Sequence, residues 1–285
     1  METILSSIIS YLSTGFIQRA FIIGIIIAVL SSIVSVYTVL KRLSLIGDGL
    51  AHTAYGGIAI GLALGGIIPS LGDVDAYLVG GVLVILGSVM ITKAIRSQKF
   101  SGDAAVAIFL TLGLATGVFV TSITLNYGFA LDALLFGSIL LVTWNQIYAA
   151  AFVLVLTMFL IVVFYKPLLY TIFDEVQARA SGIVTWKFDY LLAVLAGVTV
   201  IVSIPIVGVL LISALLVLPA LTSIQLTRSF KQTILLSPVF GLASVVFGML
   251  FAIIQPHAAP GGTVVLVGLS ILLIAIVTKK IRASF

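Results

Sequence analysis

The chain has 285 residues, of which 62% are hydrophobic and only 8% are charged. An ordinary soluble domain carries about 25% charged residues, so this composition excludes a soluble globular protein and predicts an all-α protein that crosses a membrane many times. The net charge of +5 comes from short clusters between apolar runs, which favours membrane orientation over nucleic-acid binding, and the absence of cysteine excludes disulfides and thiolate metal sites.

Eight apolar runs follow one another, and most have the length of a single crossing, for which roughly 20 apolar residues are needed. The longer run 190–226 contains Pro205 and Gly208 near its middle, so we expect two crossings joined by a tight turn. The long run 133–165 is interrupted by the polar stretch Thr143 to Gln146, so we expect a short re-entrant or tilted segment along a lined pathway, then one crossing. The runs are 17–40, 50–68, 76–93, 104–124, 133–165, 190–226, 233–254 and 261–278.

Lysine and arginine side chains form five groups in the connections between these runs. Because basic residues concentrate on the cytoplasmic side of a membrane protein, all five groups are expected to face the cytoplasm. The alternation predicts about nine crossings, with the N-terminus outside and the C-terminus inside; eight is the alternative count. The groups are Lys41 and Arg42; Lys93, Arg96 and Lys99; Lys166, Arg179 and Lys187; Arg228 and Lys231; and Lys279, Lys280 and Arg282.

Small residues recur at helical spacing in the second and fourth runs. Gly57, Gly61 and Gly65 repeat every four residues, and Gly113 and Gly117 have the same spacing. Such ridges let two membrane helices approach closely, so the second crossing is expected to pack deep among its neighbours. The alternative is the ordinary glycine richness of membrane helices.

Asp48 and His52 are four residues apart at the beginning of the second run. In a helix this spacing places both side chains on one face, with Cβ atoms about 5–6 Å apart. A carboxylate and a neutral imidazole suit Zn²⁺, Mn²⁺ or Fe²⁺, and ionisable groups at membrane depth commonly mark an ion path. The pair is therefore a candidate metal site. The alternative is that Asp48 caps the helix and His52 bonds a neighbour.

The most polar stretch, 173–182, lies between two apolar runs. Asp174 and Gln177 have the spacing of a helix N-cap and its capping-box partner, and Ser181 with Gly182 is typical of a helix end. We expect a short cytoplasmic helix of about two turns. It either docks a soluble partner or is a solvated connector.

His257 lies in a predicted outer loop, where it either helps to gate a cation or is an ordinary loop histidine. The chain has no Gly-x-x-x-x-Gly-Lys-[Ser/Thr] phosphate loop, and the hydrolase motifs His-Glu-x-x-His and Gly-x-Ser-x-Gly are also absent. The sequence therefore predicts a protein that is not an enzyme and has no permanently bound cofactor.

Six local patterns occur in order along nearly the whole chain: Phe16–Ala20, Leu40–His52, Asp103–Phe109, Leu134–Leu140, Phe173–Glu175 with Ala178–Gly182, and Val207–Ala220. In these patterns the sequence resembles the membrane permease subunits of the ABC-3 family of metal-ion importers. The resemblance implies one type II ABC importer-like permease domain over 1–285, in the cell membrane. It also implies a homodimer, two cytoplasmic ATP-binding subunits and an extracytoplasmic metal-binding lipoprotein.

The resemblance also implies roles for individual residues. Asp48 and His52 match the family's metal path, although Ala51 stands where the family usually has serine. The loop 173–187 matches the coupling helix that contacts the ATPase. Its implied contact residues are Asp174, Glu175, Gln177, Ala178, Arg179, Ala180, Ser181 and Gly182. The expected cargo is Zn²⁺ or Mn²⁺, with Fe²⁺ as a further option. The alternative function is an ion-coupled secondary metal transporter that works without an ATPase.

Overall fold

The computed structural model describes residues 14–67, 76–123, 134–135, 137, 142–255 and 258–283. The described chain forms eleven helices of at least six residues, and it contains no strand. They are α1 Gly15–Leu40, α2 Ile46–Ile67, α3 Ala76–Arg96, α4 Gly102–Ile123, α5 Trp144–Val163, α6 Tyr165–Phe173, α7 Glu175–Ala180, α8 Thr185–Leu215, α9 Leu218–Leu226, α10 Phe230–Ile254 and α11 Pro260–Ala283.

Seven segments of the described chain are long and apolar enough to cross a membrane: Gly15–Leu40, Ala76–Arg96, Gly102–Ile123, Trp144–Val163, Thr185–Leu226, Phe230–Ile254 and Pro260–Arg282. Helix α2 is not among these seven, but its 22 residues are enough for a crossing. The all-α, multi-pass fold is confirmed.

Three helices share one end of the molecule, here called the basal end. Lys41 follows α1, Arg96 ends α3, and Asp189 lies in the first turns of α8; both cations form ion pairs with the Asp189 carboxylate. Since Lys41 and Arg96 belong to predicted basic groups, the basal end corresponds to the expected cytoplasmic side.

Gly208 reverses the direction of the chain within α8. Its φ of 80° and ψ of 165° are not helical, and a positive φ is readily adopted only by glycine. Before Gly208, α8 leaves the basal end, because Ile201 lies beside Gly81 near the far end of α3. After Gly208, Leu216 lies against Gly47 in the first turn of α2. Thr185–Leu226 thus contains two passes, and the total is consistent with the nine predicted crossings.

Helix α2 is packed closely between α3 and α4. A Cβ added at Gly57 would lie only 2.9 Å from the Cα of Gly80 in α3, and one added at Gly113 of α4 would collide with the backbone of His52. Gly117 similarly leaves room for the ring of Tyr55. The predicted close approach at these glycines is therefore present, and α2 is held on both sides by backbone contacts.

The polar stretch before α5 is a helix cap. Thr143 accepts a hydrogen bond from the backbone N–H of Gln146, and the Gln146 side chain accepts one from the backbone N–H of Thr143. This reciprocal pair satisfies the free N–H groups at the beginning of α5, which then crosses once. Thr143 and Gln146 therefore account for the interruption that we interpreted as a lined pathway. The re-entrant or tilted segment that we expected before α5 lies mostly in 124–141, and most of that range is outside the described residues.

Candidate functional site

The first two turns of α2 carry the predicted Asp48–His52 pair. The His52 Nε2 atom lies 3.6 Å from Asp48 Oδ1, and the two side chains are 18% and 37% exposed, respectively. The Nδ1 atom of His52 is buried and has no hydrogen-bond partner in the described part of the chain. Because the two side chains share one helix face and are both partly exposed, the pair offers one oxygen and one nitrogen donor to a divalent cation.

Ser213 joins this pair from the segment that returns after Gly208. Its hydroxyl donates to Asp48 Oδ1 at 3.0 Å and also lies 3.0 Å from the carbonyl oxygen of Val209. Asp48 thus accepts a bond from a residue distant in the sequence, and none of the hydrogen bonds described for α2 shows it capping the helix. The sequence did not indicate this neighbour of Asp48, because Ser213 is 165 residues away along the chain.

One chain supplies only part of a metal coordination sphere. Among the described residues, no group of three or more His, Cys, Asp or Glu side chains is close enough together to hold an ion. Beside the pair, Leu210 is 56% exposed, although Val209, Leu211 and Ile212 around it are buried. Leu210 precedes Ser213 by three residues and so lies on the same helix face.

The polar loop folds as predicted into the short helix α7. The Asp174 carboxylate caps it by accepting a hydrogen bond from the backbone N–H of Gln177 at 2.9 Å. Ser181 ends the helix, and Gly182 follows with a φ of 81°. The geometry fits a glycine that terminates a helix by entering the left-handed region. The helix has six residues, slightly less than the predicted two turns.

Helix α7 is tied to the basal end by a set of charged side chains, here called the basal ion-pair cluster: Lys41, Arg96, Glu175, Arg179 and Asp189. Glu175 lies 3.5 Å from Arg96, pairs with Arg179 and accepts a hydrogen bond from Thr185 at 3.1 Å. The cluster therefore links α7 to the ends of α1 and α3 and to the beginning of α8.

Two groups of the cluster have shifted pKa values. Burial at the end of α1 lowers the pKa of Lys41 to about 8. Burial acts to raise the pKa of Glu175, but hydrogen bonds from Arg179 and Thr185 and the nearby positive charges outweigh it and hold that pKa below its usual range. At neutral pH Glu175 is ionised and Lys41 remains mostly protonated, so the charges that join α7 to the basal end are present.

The structure corrects the predicted contact surface of α7 at two residues. Ala178 is fully buried and packs inward, so it is not available to a partner. Val176, which is not among the predicted contact residues, is 81% exposed. The sequence signal that could have indicated it is an apolar residue within the otherwise polar stretch Asp174–Gln177. His257, the predicted outer gate, lies outside the described residues.

Comparisons with known proteins cover nearly the whole chain. A family model described as "ABC 3 transport family" matches residues 13–279. The manganese transport system membrane protein MntC of Halalkalibacterium halodurans is 26% identical over 93% of this chain and 87% of its own length. The manganese import system permease protein ScaB of Streptococcus gordonii is 30% identical over 91% of this chain and 90% of its own length.

A solved structure has the same fold. In the structure described as PsaBC from Streptococcus pneumoniae in complex with Fab, the matching chain is 30% identical to this one. The alignment covers 95% of each chain with a TM-score of 0.81.

Proposed function

The chain belongs to the ABC 3 transport family, whose members are membrane permease subunits rather than enzymes, and we propose that this one carries Mn²⁺ into the cytoplasm. It is a multi-pass plasma-membrane subunit of a metal ABC transporter, in which a separate subunit hydrolyses ATP. The observation that carries the proposal is the Asp48–His52 pair on the partly open face of a helix packed among membrane helices.

The choice of Mn²⁺ rests on the relatives and on ligand chemistry. MntC and ScaB are both named for manganese. A site with carboxylate and hydroxyl oxygens beside one imidazole, and with no thiolate, suits a hard cation such as Mn²⁺. Zn²⁺ and Fe²⁺ accept the same donors, so they are the competing cargoes in the experiment below.

We further propose that two copies complete the site. One chain offers only Asp48 and His52, whereas a transition-metal ion takes four or more donors. A second copy facing the same open side doubles the donors. The binding site then lies on a shared path between two permease subunits, each served by one ATP-binding subunit, and an extracytoplasmic metal-binding lipoprotein delivers the ion.

Helix α7 is the proposed contact with the ATPase. Its exposed Val176 presents an apolar side chain to a soluble partner, and the basal ion-pair cluster transmits a displacement of α7 to α1, α3 and α8. ATP-driven displacement of α7 thereby switches access to the Asp48–His52 site between the two sides of the membrane. Binding must remain weak enough for the ion to leave on the cytoplasmic side.

The test is metal uptake by proteoliposomes that contain the permease, its ATPase and its metal-binding protein. We expect Mn²⁺ uptake to require ATP and to fall by about tenfold or more in Asp48→Ala and in His52→Ala, because losing a metal ligand costs at least as much as losing a residue that supports one. Asp103→Ala is the control, since Asp103 is an exposed carboxylate in the first turn of α4.

Three outcomes contradict parts of the proposal. Uptake that follows a proton gradient without ATP indicates the secondary transporter. Uptake that persists in both Asp48→Ala and His52→Ala shows that these residues do not form the metal site. If Zn²⁺ or Fe²⁺ is taken up in preference to Mn²⁺ at equal concentration, the permease function still holds, but the cargo is that ion and not Mn²⁺.

A further inference from the structure

We propose that Ser213 is a positioning residue for the transported cation, acting through the Asp48 carboxylate. The inference rests on the proposed function, because it assigns Asp48 to the metal. The observation is the 3.0 Å hydrogen bond from Ser213 Oγ to Asp48 Oδ1, which joins the returning segment of α8 to the first turn of α2.

The serine proton has two acceptors within reach. A helical serine ordinarily donates to the carbonyl four residues earlier, and Val209 offers that carbonyl at 3.0 Å. A hydroxyl has only one proton, so it cannot donate to both at once. A carboxylate is a stronger acceptor than a peptide carbonyl, since charge-assisted hydrogen bonds exceed neutral ones. The proton therefore goes to Asp48.

This donor fixes the carboxylate and leaves lone pairs for the ion. An ionised carboxylate has about four acceptor positions, and Ser213 occupies one of them on the oxygen nearer to His52. The remaining positions stay available on the open side of α2. An Asp48 side chain held in this way loses little rotamer freedom when the cation arrives, which favours binding without adding a ligand.

The backbone on either side of Ser213 places its hydroxyl beside Asp48. Gly208 turns the chain back toward α2, and Leu216 packs directly against Gly47, one residue before Asp48. These contacts keep Ser213 level with Asp48. The hydroxyl therefore reaches the site because of the chain reversal, which distinguishes Ser213 from the many hydroxyls that only bond their own helix.

The test compares Ser213→Ala, Ser213→Thr and a matched control, Thr199→Val. Thr199 is a buried hydroxyl of the same helix whose described bond is to the carbonyl of Leu195. The readouts are the KM and maximal rate of Mn²⁺ uptake by the reconstituted complex, and equilibrium Mn²⁺ binding followed by electron paramagnetic resonance of the free ion.

We expect Ser213→Ala to raise the KM and the dissociation constant for Mn²⁺ roughly tenfold, as loss of a hydrogen bond to a charged group does, with the maximal rate changed less than about twofold. Ser213→Thr, which keeps the hydroxyl, should restore both constants, and Thr199→Val should leave them unchanged. An unchanged KM in Ser213→Ala overturns the role, and so does an equal change in Thr199→Val or a failure of threonine to rescue binding.

The Asp48→Ala variant separates this inference from the proposed function. If Asp48→Ala abolishes uptake while Ser213→Ala leaves KM unchanged, only the positioning role is wrong. If Asp48→Ala has no effect on uptake, the proposed site itself is wrong, whatever Ser213 does.

Discussion

At the scale of single residues, Gly113 controls the position of His52. The backbone of α4 passes so close to the His52 carbonyl that no side chain fits between them. The proposed metal site therefore depends on a glycine that is not itself one of the proposed ligands. Small residues at such contacts are common in membrane helix pairs, where close packing replaces the hydrophobic effect between helices.

We expect Gly113→Ala to destabilise the permease by about 1–3 kcal/mol, the usual cost of overpacking, and to reduce metal uptake. The measurement is thermal unfolding of the purified protein in detergent, together with uptake. Gly262→Ala is the control, because a Cβ at Gly262 meets no atom within 4 Å. Equal stability of the two variants contradicts the account of the α2–α4 contact.

The sequence predicted the parts of the site that depend on local spacing. Asp48 and His52 share a helix face because they are four residues apart, and Asp174 caps α7 because caps are local. Ser213 and Asp189 could not be predicted in the same way. Their partners are brought together only by the reversal at Gly208 and by the packing of α8 on α1 and α3.

At the scale of elements, α7 is a short helix that is fixed at both ends and tied to the rest of the molecule. Its N-terminus is capped by Asp174, its C-terminus is closed by Gly182, and Glu175 anchors it to the basal ion-pair cluster. The fixed helix leaves Val176 as its most exposed apolar side chain. This combination suits a surface that must move as one piece when a partner displaces it.

Replacing Val176 by serine should weaken ATPase binding without affecting the fold. Loss of one apolar anchor typically costs 1–2 kcal/mol or more at an interface, so we expect the dissociation constant of the permease–ATPase complex to rise about tenfold. Phe100→Ser is the matched control on the connection between α3 and α4, where Phe100 is also exposed. Titration of labelled ATPase into each purified permease variant measures the two dissociation constants. An equal rise of the dissociation constant in both variants argues against α7 as the contact.

At the scale of the whole molecule, the open face beside the site is the proposed contact between two copies. Leu210 is exposed there, although the residues on either side of it in the chain are buried. Helix α5 lies elsewhere, against α1 and the part of α8 before Gly208. An exposed residue of α5, such as Val155, is therefore expected to face lipid.

The absence of cysteine makes this arrangement testable by cross-linking. We expect Leu210→Cys to form a covalent dimer on mild oxidation in native membranes, because residues near a two-fold axis approach their own copies. Val155→Cys should remain monomeric under the same conditions. Electrophoresis without reductant gives the readout, and a dimer formed only by the Val155 variant would place the interface on the other side of the molecule.

The hydrogen bond between Ser213 and Asp48 connects residues 165 positions apart. A ribosome that adds about 5–20 residues per second takes roughly 10 to 30 s to pass from one to the other. During that interval α2 enters the bilayer while its carboxylate still lacks this donor, a costly arrangement at membrane depth. The proposed ion site is therefore completed only after the chain beyond Gly208 has been made and has turned back toward α2.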